Sequence, residues 1–193
     1  MPETIKNISK KDAIFKAALQ LFSHRSFDGT TIPEIARVAN VGAGTIYRYF
    51  ISKEDLVNEL FVRVLDDFTE HLQVGLHGQM DTRTRFHHLF NNAWNYVMNN
   101  VEAFLFINLN DEATYLNDRS RKSFSRMWDY IAEMVEQGAD KGELIKLDPK
   151  FVASLVYGPL IPISKRFNND NRQASQALAK ALEEATWRAI STD

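Results

Sequence analysis

The chain has 193 residues, with 23 Lys and Arg against 25 Asp and Glu, five His, no Cys, 45% apolar and 25% charged side chains. Such usage excludes a chain that is mainly disordered, and zero cysteine excludes disulfides, thiolate zinc sites, iron–sulfur clusters and cysteine nucleophiles. The charge is uneven: residues 1–53 carry eight basic and four acidic side chains, net +4, and residues 54–193 carry 15 and 21, net −6. A basic head on an acidic body suits a head that meets a polyanion.

Almost every segment has helical periodicity. Ala13, Ile14, Ala17, Ala18, Leu21 and Phe22 recur at i, i+3, i+4 spacing, which predicts a first amphipathic helix with Ser9 as its cap. The turn Asp28-Gly29-Thr30-Thr31 leads into Ile32-Pro33-Glu34, a capping box with Pro33 in the first turn, where its missing N–H costs nothing. This short second helix stops at Asn40, a residue tolerant of left-handed backbone. A third short helix runs through Thr45–Phe50, and Ser52 caps a long fourth helix whose stripe is Leu56, Leu60, Phe61, Val64, Leu65, Phe68 and Leu72. Helices are expected at 82–99, 101–109 and 118–139, then from Pro149 to about 166 and over 172–190, with Asn168–Asn171 as a loop. The expectation is an all-α chain of about nine helices and no sheet. The longest apolar stretch, Phe151–Ile163, is broken by Gly158, Pro159 and Pro162 and is too short to cross a bilayer. A soluble, cytoplasmic protein without a membrane partner is therefore expected.

Two short helices joined by a tight turn and preceded by a stabilising helix form a helix-turn-helix unit, whose second helix is narrow enough for a DNA major groove. Gly42, Ala43 and Gly44 remove bulk at the start of that helix; Thr45, Tyr47, Arg48 and Tyr49 supply hydroxyl, aromatic and guanidinium groups, and Lys53 adds a charge beyond it. The run Phe27-Asp28-Gly29-Thr30-Thr31-Ile32-Pro33-Glu34-Ile35-Ala36, then Val41-Gly42-Ala43-Gly44-Thr45-Ile46-Tyr47-Arg48-Tyr49-Phe50 and Ser52-Lys53-Glu54-Asp55-Leu56, resembles the TetR family of transcriptional regulators. Asn40 stands where that pattern usually has Gly, and Gly42 where it has Ser or Ala. The resemblance implies a helix-turn-helix DNA-binding domain over 1–53 and a regulatory domain over 54–193 that binds a ligand and dimerises. DNA contact is expected from Thr31, Gly42, Ala43, Gly44, Thr45, Tyr47, Arg48, Tyr49 and Lys53. The partners implied are double-stranded operator DNA and a second copy of the chain, paired through about 150–166 and 172–190.

The body concentrates aromatic residues, which either fill a core or line a cavity for a small apolar or aromatic effector. The resemblance puts such a cavity among the fourth to eighth helices, with Phe68, Phe90, Trp94, Phe104, Tyr115, Phe124 and Trp128 as apolar lining and His87, Asn91 and Asn108 as polar contacts. Glu102 or Asp111 would balance a cationic ligand. No Gly-rich phosphate loop, nucleophile elbow or zinc-protease sequence is present, and a di-metal bundle would need paired Glu-x-x-His repeats, which the sequence lacks. No enzyme activity, metal or cofactor is expected. The function expected is a homodimeric repressor released from its operator by the effector; the alternative is a helical small-molecule- or metal-binding bundle without specific DNA binding.

Overall fold

The computed structural model describes residues 9–170 and 176–192. They form α1 Lys10–Arg25, α2 Ile32–Val38, α3 Ala43–Tyr47, α4 Lys53–Leu72, α5 Thr82–Asn99, α6 Val101–Asn110, α7 Asp118–Asp140, α8 Pro149–Tyr157, α9 Leu160–Asp170 and α10 Gln176–Ile190. The all-α expectation holds. Among the described residues the one β-type pairing is an isolated bridge between Leu144 and Ser191, which ties the end of the chain to the α7–α8 loop.

The expected helix over about 150–166 is two segments, because Gly158 and Pro159 interrupt it. Proline offers no N–H to continue the ladder. Its partner Pro162 falls in the first turn of α9, where that loss is tolerated. α9 also runs on to Asp170, through Asn168 and Asn169, where a loop is expected from composition. Asn171 and residues 172–175, including Ala174, lie outside the described residues.

Local capping chemistry sets the head. The Ser9 hydroxyl accepts from Asp12 N at 3.1 Å, and Ser52 Oγ accepts from Asp55 N at 3.1 Å. At α2 the Glu34 carboxylate reaches back to accept from Thr31 N at 2.9 Å and Thr31 Oγ1 at 2.8 Å. These bonds from Thr31 hold the Glu34 carboxyl below its ordinary pKa. The turn after α2 carries Asn40 at φ 53°, with Val41 N bonded to Ala36 O and Asn40 N to Arg37 O. That paired closure is a Schellman stop, and it needs a residue that accepts left-handed backbone.

One buried apolar cluster runs through head and body without interruption, from Ile14, Phe22, Ile35 and Ile46 through Leu56 and Phe61 to Phe106 and Val135. α1 is the hinge of this continuity. Its Phe22 ring stacks 6.1 Å from Phe106 of α6, and Phe27, just beyond its end, stacks 4.0 Å from Tyr115. Lys11 pairs with Glu59 at 2.7 Å and Arg63 with Asp12 at 2.8 Å, both joining α1 to α4. α4 spans about 30 Å at helical rise and packs against α1, α5, α6 and α7. It begins in the head and ends in the body.

Candidate DNA interface and body cavities

The helix-turn-helix leaves one face open. Thr31, Gly42, Ala43, Gly44, Tyr47, Arg48 and Tyr49 are exposed and Thr45 is half-buried, while Ile46 and Phe50 between them turn inward and are fully buried. The outward set is a small-residue patch followed by two phenols and a guanidinium. A Cβ built on Gly44 would meet nothing within 4 Å, and one on Gly42 only Thr45 Oγ1 at 3.9 Å. The fold itself therefore does not demand bare backbone at either position. Tyr47 is 56% exposed, Tyr49 44% and Ile51 88%. In the sequence this solvent-facing isoleucine at the α3–α4 junction reads as one more apolar residue beside Phe50.

Lys53 differs from a free surface charge. Its ammonium donates to Phe27 O at 2.9 Å and Thr30 O at 3.1 Å and sits 3.9 Å from the centre of the Phe27 ring. It fastens the start of α4 to the turn that presents Thr31. An ammonium has three N–H donors, so one remains for an outside acceptor.

The body places the expected ligand residues in three different settings. An almost wholly apolar cavity of about 60 Å³ is lined by Phe68, Phe90 and Trp128, together with residues of α7, α8 and Ile190. Phe124, Asn108 and again Trp128 border a second cavity of about 220 Å³, opening between α6, α7 and α8. His87, Asn91 and Trp94 border a polar surface cleft between α5 and α10. Phe104 is fully buried, edge-on to Tyr157 at 5.0 Å. Tyr115 is not among the residues lining these three spaces: it stacks on Phe27, and its hydroxyl bonds Asn110 Oδ1. The ten residues expected to form one pocket therefore do not converge, because helical periodicity gives the face of a side chain but not the depth at which neighbouring helices stop.

His87 and Asn91 serve a buried acid that lies far along the chain. Glu183 is 4% exposed; its carboxylate meets His87 Nδ1 at 2.9 Å and Asn91 Nδ2 at 3.2 Å. Arg83 Nη1 lies 2.8 Å from the same carboxylate, off the line of a hydrogen bond, so it is an ion pair by distance. Burial pushes the Glu183 carboxyl up, but hydrogen bonds from His87 and Asn91 and the charges of His87 and Arg83 outweigh it and hold the pKa low. The cluster locks α10 onto α5.

A second polar knot joins α4 to α7. Asn58, buried, donates to Glu54 O at 2.7 Å and Tyr115 O at 2.9 Å. Its carbonyl accepts from Asn117 N at 2.8 Å and Ser120 Oγ at 2.7 Å. Every donor and acceptor of this amide is used.

A short helix held open-faced above a stabilising α1, at the tip of a long α4, defines a helix-turn-helix DNA-binding regulator. A family model described as bacterial regulatory proteins, tetR family, matches residues 14–60, and one described as tetracyclin repressor-like, C-terminal domain, matches residues 61–192. The chain belongs to the TetR family of transcriptional regulators. It is 24% identical over 149 residues to the HTH-type transcriptional regulator YhgD of Bacillus subtilis, covering 76% of this chain and 78% of YhgD. Among solved structures it resembles a TetR family regulator of Shewanella sp. PV-4 (28% identity, TM-score 0.78, 96% of this chain and 100% of that one). It shares its fold with FadR of Bacillus subtilis in complex with stearoyl-CoA (18% identity, TM-score 0.68, 90% and 96% covered). Among the described residues no helix is long and apolar enough to cross a membrane.

Proposed function

We propose that the protein is a homodimeric repressor whose α3 face binds operator DNA and whose body, on taking up a small apolar molecule, releases it. The observation that carries this reading is the open face of α3. Gly42 and Gly44 leave the backbone bare although the fold has room for a Cβ at each, Ala43 between them adds only a methyl, and Thr45, Tyr47, Arg48 and Tyr49 stand around them. Close approach to a groove explains bare backbone that intramolecular packing does not. In this reading Thr31, Tyr47 and Lys53 meet phosphate, Arg48 and Tyr49 reach toward base edges, and the head and regulatory domains divide near residue 53.

One head covers few base pairs, so a palindromic operator calls for two, related by a two-fold axis. Of the apolar residues expected at the dimer contact, Val152 and Leu160 enter the protomer's own core, whereas Phe151 is 71% and Leu155 46% exposed. On α10, which packs against α8, Ala177, Ala181 and Ala185 are exposed on one stripe. Large side chains beside a stripe of small ones suit close packing of helices from a second copy.

For the effector, size is the guide. A 60 Å³ cavity holds no ligand as it stands, so an effector must displace its walls. Two of those walls, Phe68 and Leu72, belong to α4, and a helix that starts beside Lys53 carries their displacement to the head. The ligand acts by preferring the conformation whose heads no longer fit successive grooves. FadR, which shares the fold, is in complex with stearoyl-CoA, a ligand with a long apolar acyl chain and an anionic coenzyme A part.

Fluorescence anisotropy with duplex from the region upstream of the gene tests the reading. Specific binding should exceed binding to random duplex by about 10³-fold or more. Equal affinity for both duplexes at moderate salt would leave a ligand-binding bundle instead.

A further inference from the structure

The cavity between α6, α7 and α8 has an unusual chemistry for its shape. Its walls include Phe124, Trp128 and Tyr157, three rings in edge-on succession with centroids 6.2 Å and 6.0 Å apart. Asn108 and Tyr157 both line it, with Asn108 Nδ2 donating to Phe104 O at 2.7 Å and lying 3.4 Å from the Tyr157 hydroxyl. The one ionisable carboxyl on these walls is Asp111, and none of the described residues lining the cavity is basic. Glu112 N donates to one Asp111 oxygen at 3.0 Å. Burial raises the Asp111 pKa, with the neighbouring charge of Glu112 adding to the effect. The other acid considered as a counter-charge, Glu102, faces His24 at 3.4 Å instead.

Half-burying a carboxylate against aromatic rings without a cation is unfavourable, and a bound cation would relieve it. The same rings attract a cation through their faces. Trp128 and Tyr157 also line the smaller apolar cavity, so the two spaces share a wall. Their volumes, about 220 and 60 Å³, together approach the roughly 300 Å³ at which drug-sized sites begin. Exposed Ser154 is also among its lining residues, next in the chain to exposed Leu155 of the face assigned above to the dimer.

We infer that this cavity is the head-group site for an amphiphilic organic monocation, with Asp111 as its counter-ion, the Phe124–Trp128–Tyr157 rings as its cage, and the apolar cavity beyond as the seat of its hydrocarbon end. This rests on the reading that the body binds an effector with an apolar portion; it keeps that portion in the apolar cavity and adds a positively charged head.

Calorimetry with three probes of similar shape decides it: N-butylpyridinium, butylbenzene and 4-butylbenzoate, each also added to the operator complex. The cation should bind at least about tenfold tighter than the benzoate. Asp111→Asn should remove that preference, and Asp111→Glu should keep most of it. A benzoate that binds as well as the cation, or a preference unchanged in Asp111→Asn, overturns the inference. Should Asp111→Asn lose its helical circular dichroism, the order of the three probes on the unaltered protein decides alone. If butylbenzene or the benzoate binds and releases operator while the cation does neither, the charge assignment fails and the apolar-effector reading stands. If none of the three binds the folded protein, both fall.

Discussion

Lys53 shows how one side chain serves two structures at once. Two of its donors hold the carbonyls of Phe27 and Thr30, so replacing it removes a clamp as well as a charge. Lys53→Ala should weaken specific and random-duplex binding alike and flatten the salt slope by about one unit. It should also lower unfolding stability by about 1–3 kcal/mol, since hydrogen bonds from a charged donor are lost; anisotropy over a salt series and urea titration measure the two effects separately. Glu183 gives the pH counterpart. Its folded pKa lies below the ordinary value, so its contribution to stability is present above the unfolded pKa of about 4.3 and fades as pH falls through the lower folded value. Glu183→Gln should therefore melt below the parent protein at pH 7, and the gap should narrow in thermal scans as pH drops under about 4.

At the scale of elements, α4 connects the parts because it is held at several points along its length. Near its start Lys53 grips the turn before α2, further along Asn58 grips the α6–α7 loop and α7, and near its end Phe68 and Leu72 wall the apolar cavity. The Asn58 amide is buried and fully bonded, so Asn58→Ala strands partners at Tyr115 O, Asn117 N and Ser120. The cost should be about 2–3 kcal/mol, a fall of roughly 4–12 °C in Tm for a chain of this size. Operator affinity should survive in the folded fraction, while the effect of ligand on that affinity shrinks, because the knot joins the head's helix to the body's longest one. Titration of the operator complex with an effector reads this directly; an unchanged ligand response would show that coupling runs through other contacts, such as Phe22 on Phe106.

For the whole molecule the proposed dimer makes the sharpest demand. Phe151 and Leu155 are exposed in the protomer, so charging them should leave its own core intact. The double variant Phe151→Glu, Leu155→Glu should give a monomeric mass by light scattering at micromolar concentration, with unaltered helical circular dichroism. Its operator affinity should fall toward that for random duplex, since one head engages only a half-site. A double variant that remains dimeric would place the contact elsewhere. The continuous core from Ile14 to Val135 carries a further consequence: head and body share buried area across residue 53, so each supports the other's fold.

Much of this architecture is legible in the linear chain because it depends on neighbours a few residues apart. Hydrophobic spacing within each helix, the Ser9 and Ser52 caps, the Thr31–Glu34 reach-back and the left-handed Asn40 are all interactions of short range. So is the open face of α3, since Ile46 and Phe50 must turn inward and the residues between them outward. What joins one helix to another was not legible. Glu183 lies 96 positions from His87, Lys53 spends its charge on a turn 26 residues back, and Tyr115 leaves the ligand set to stack on Phe27. The aromatic body likewise divides into an apolar void, a ring-walled cavity with one acid, and a polar cleft. Those outcomes depend on the distance and tilt at which whole helices meet, and on which buried polar group finds a partner there. Such quantities arise from packing all the side chains at once, and no local pattern encodes them.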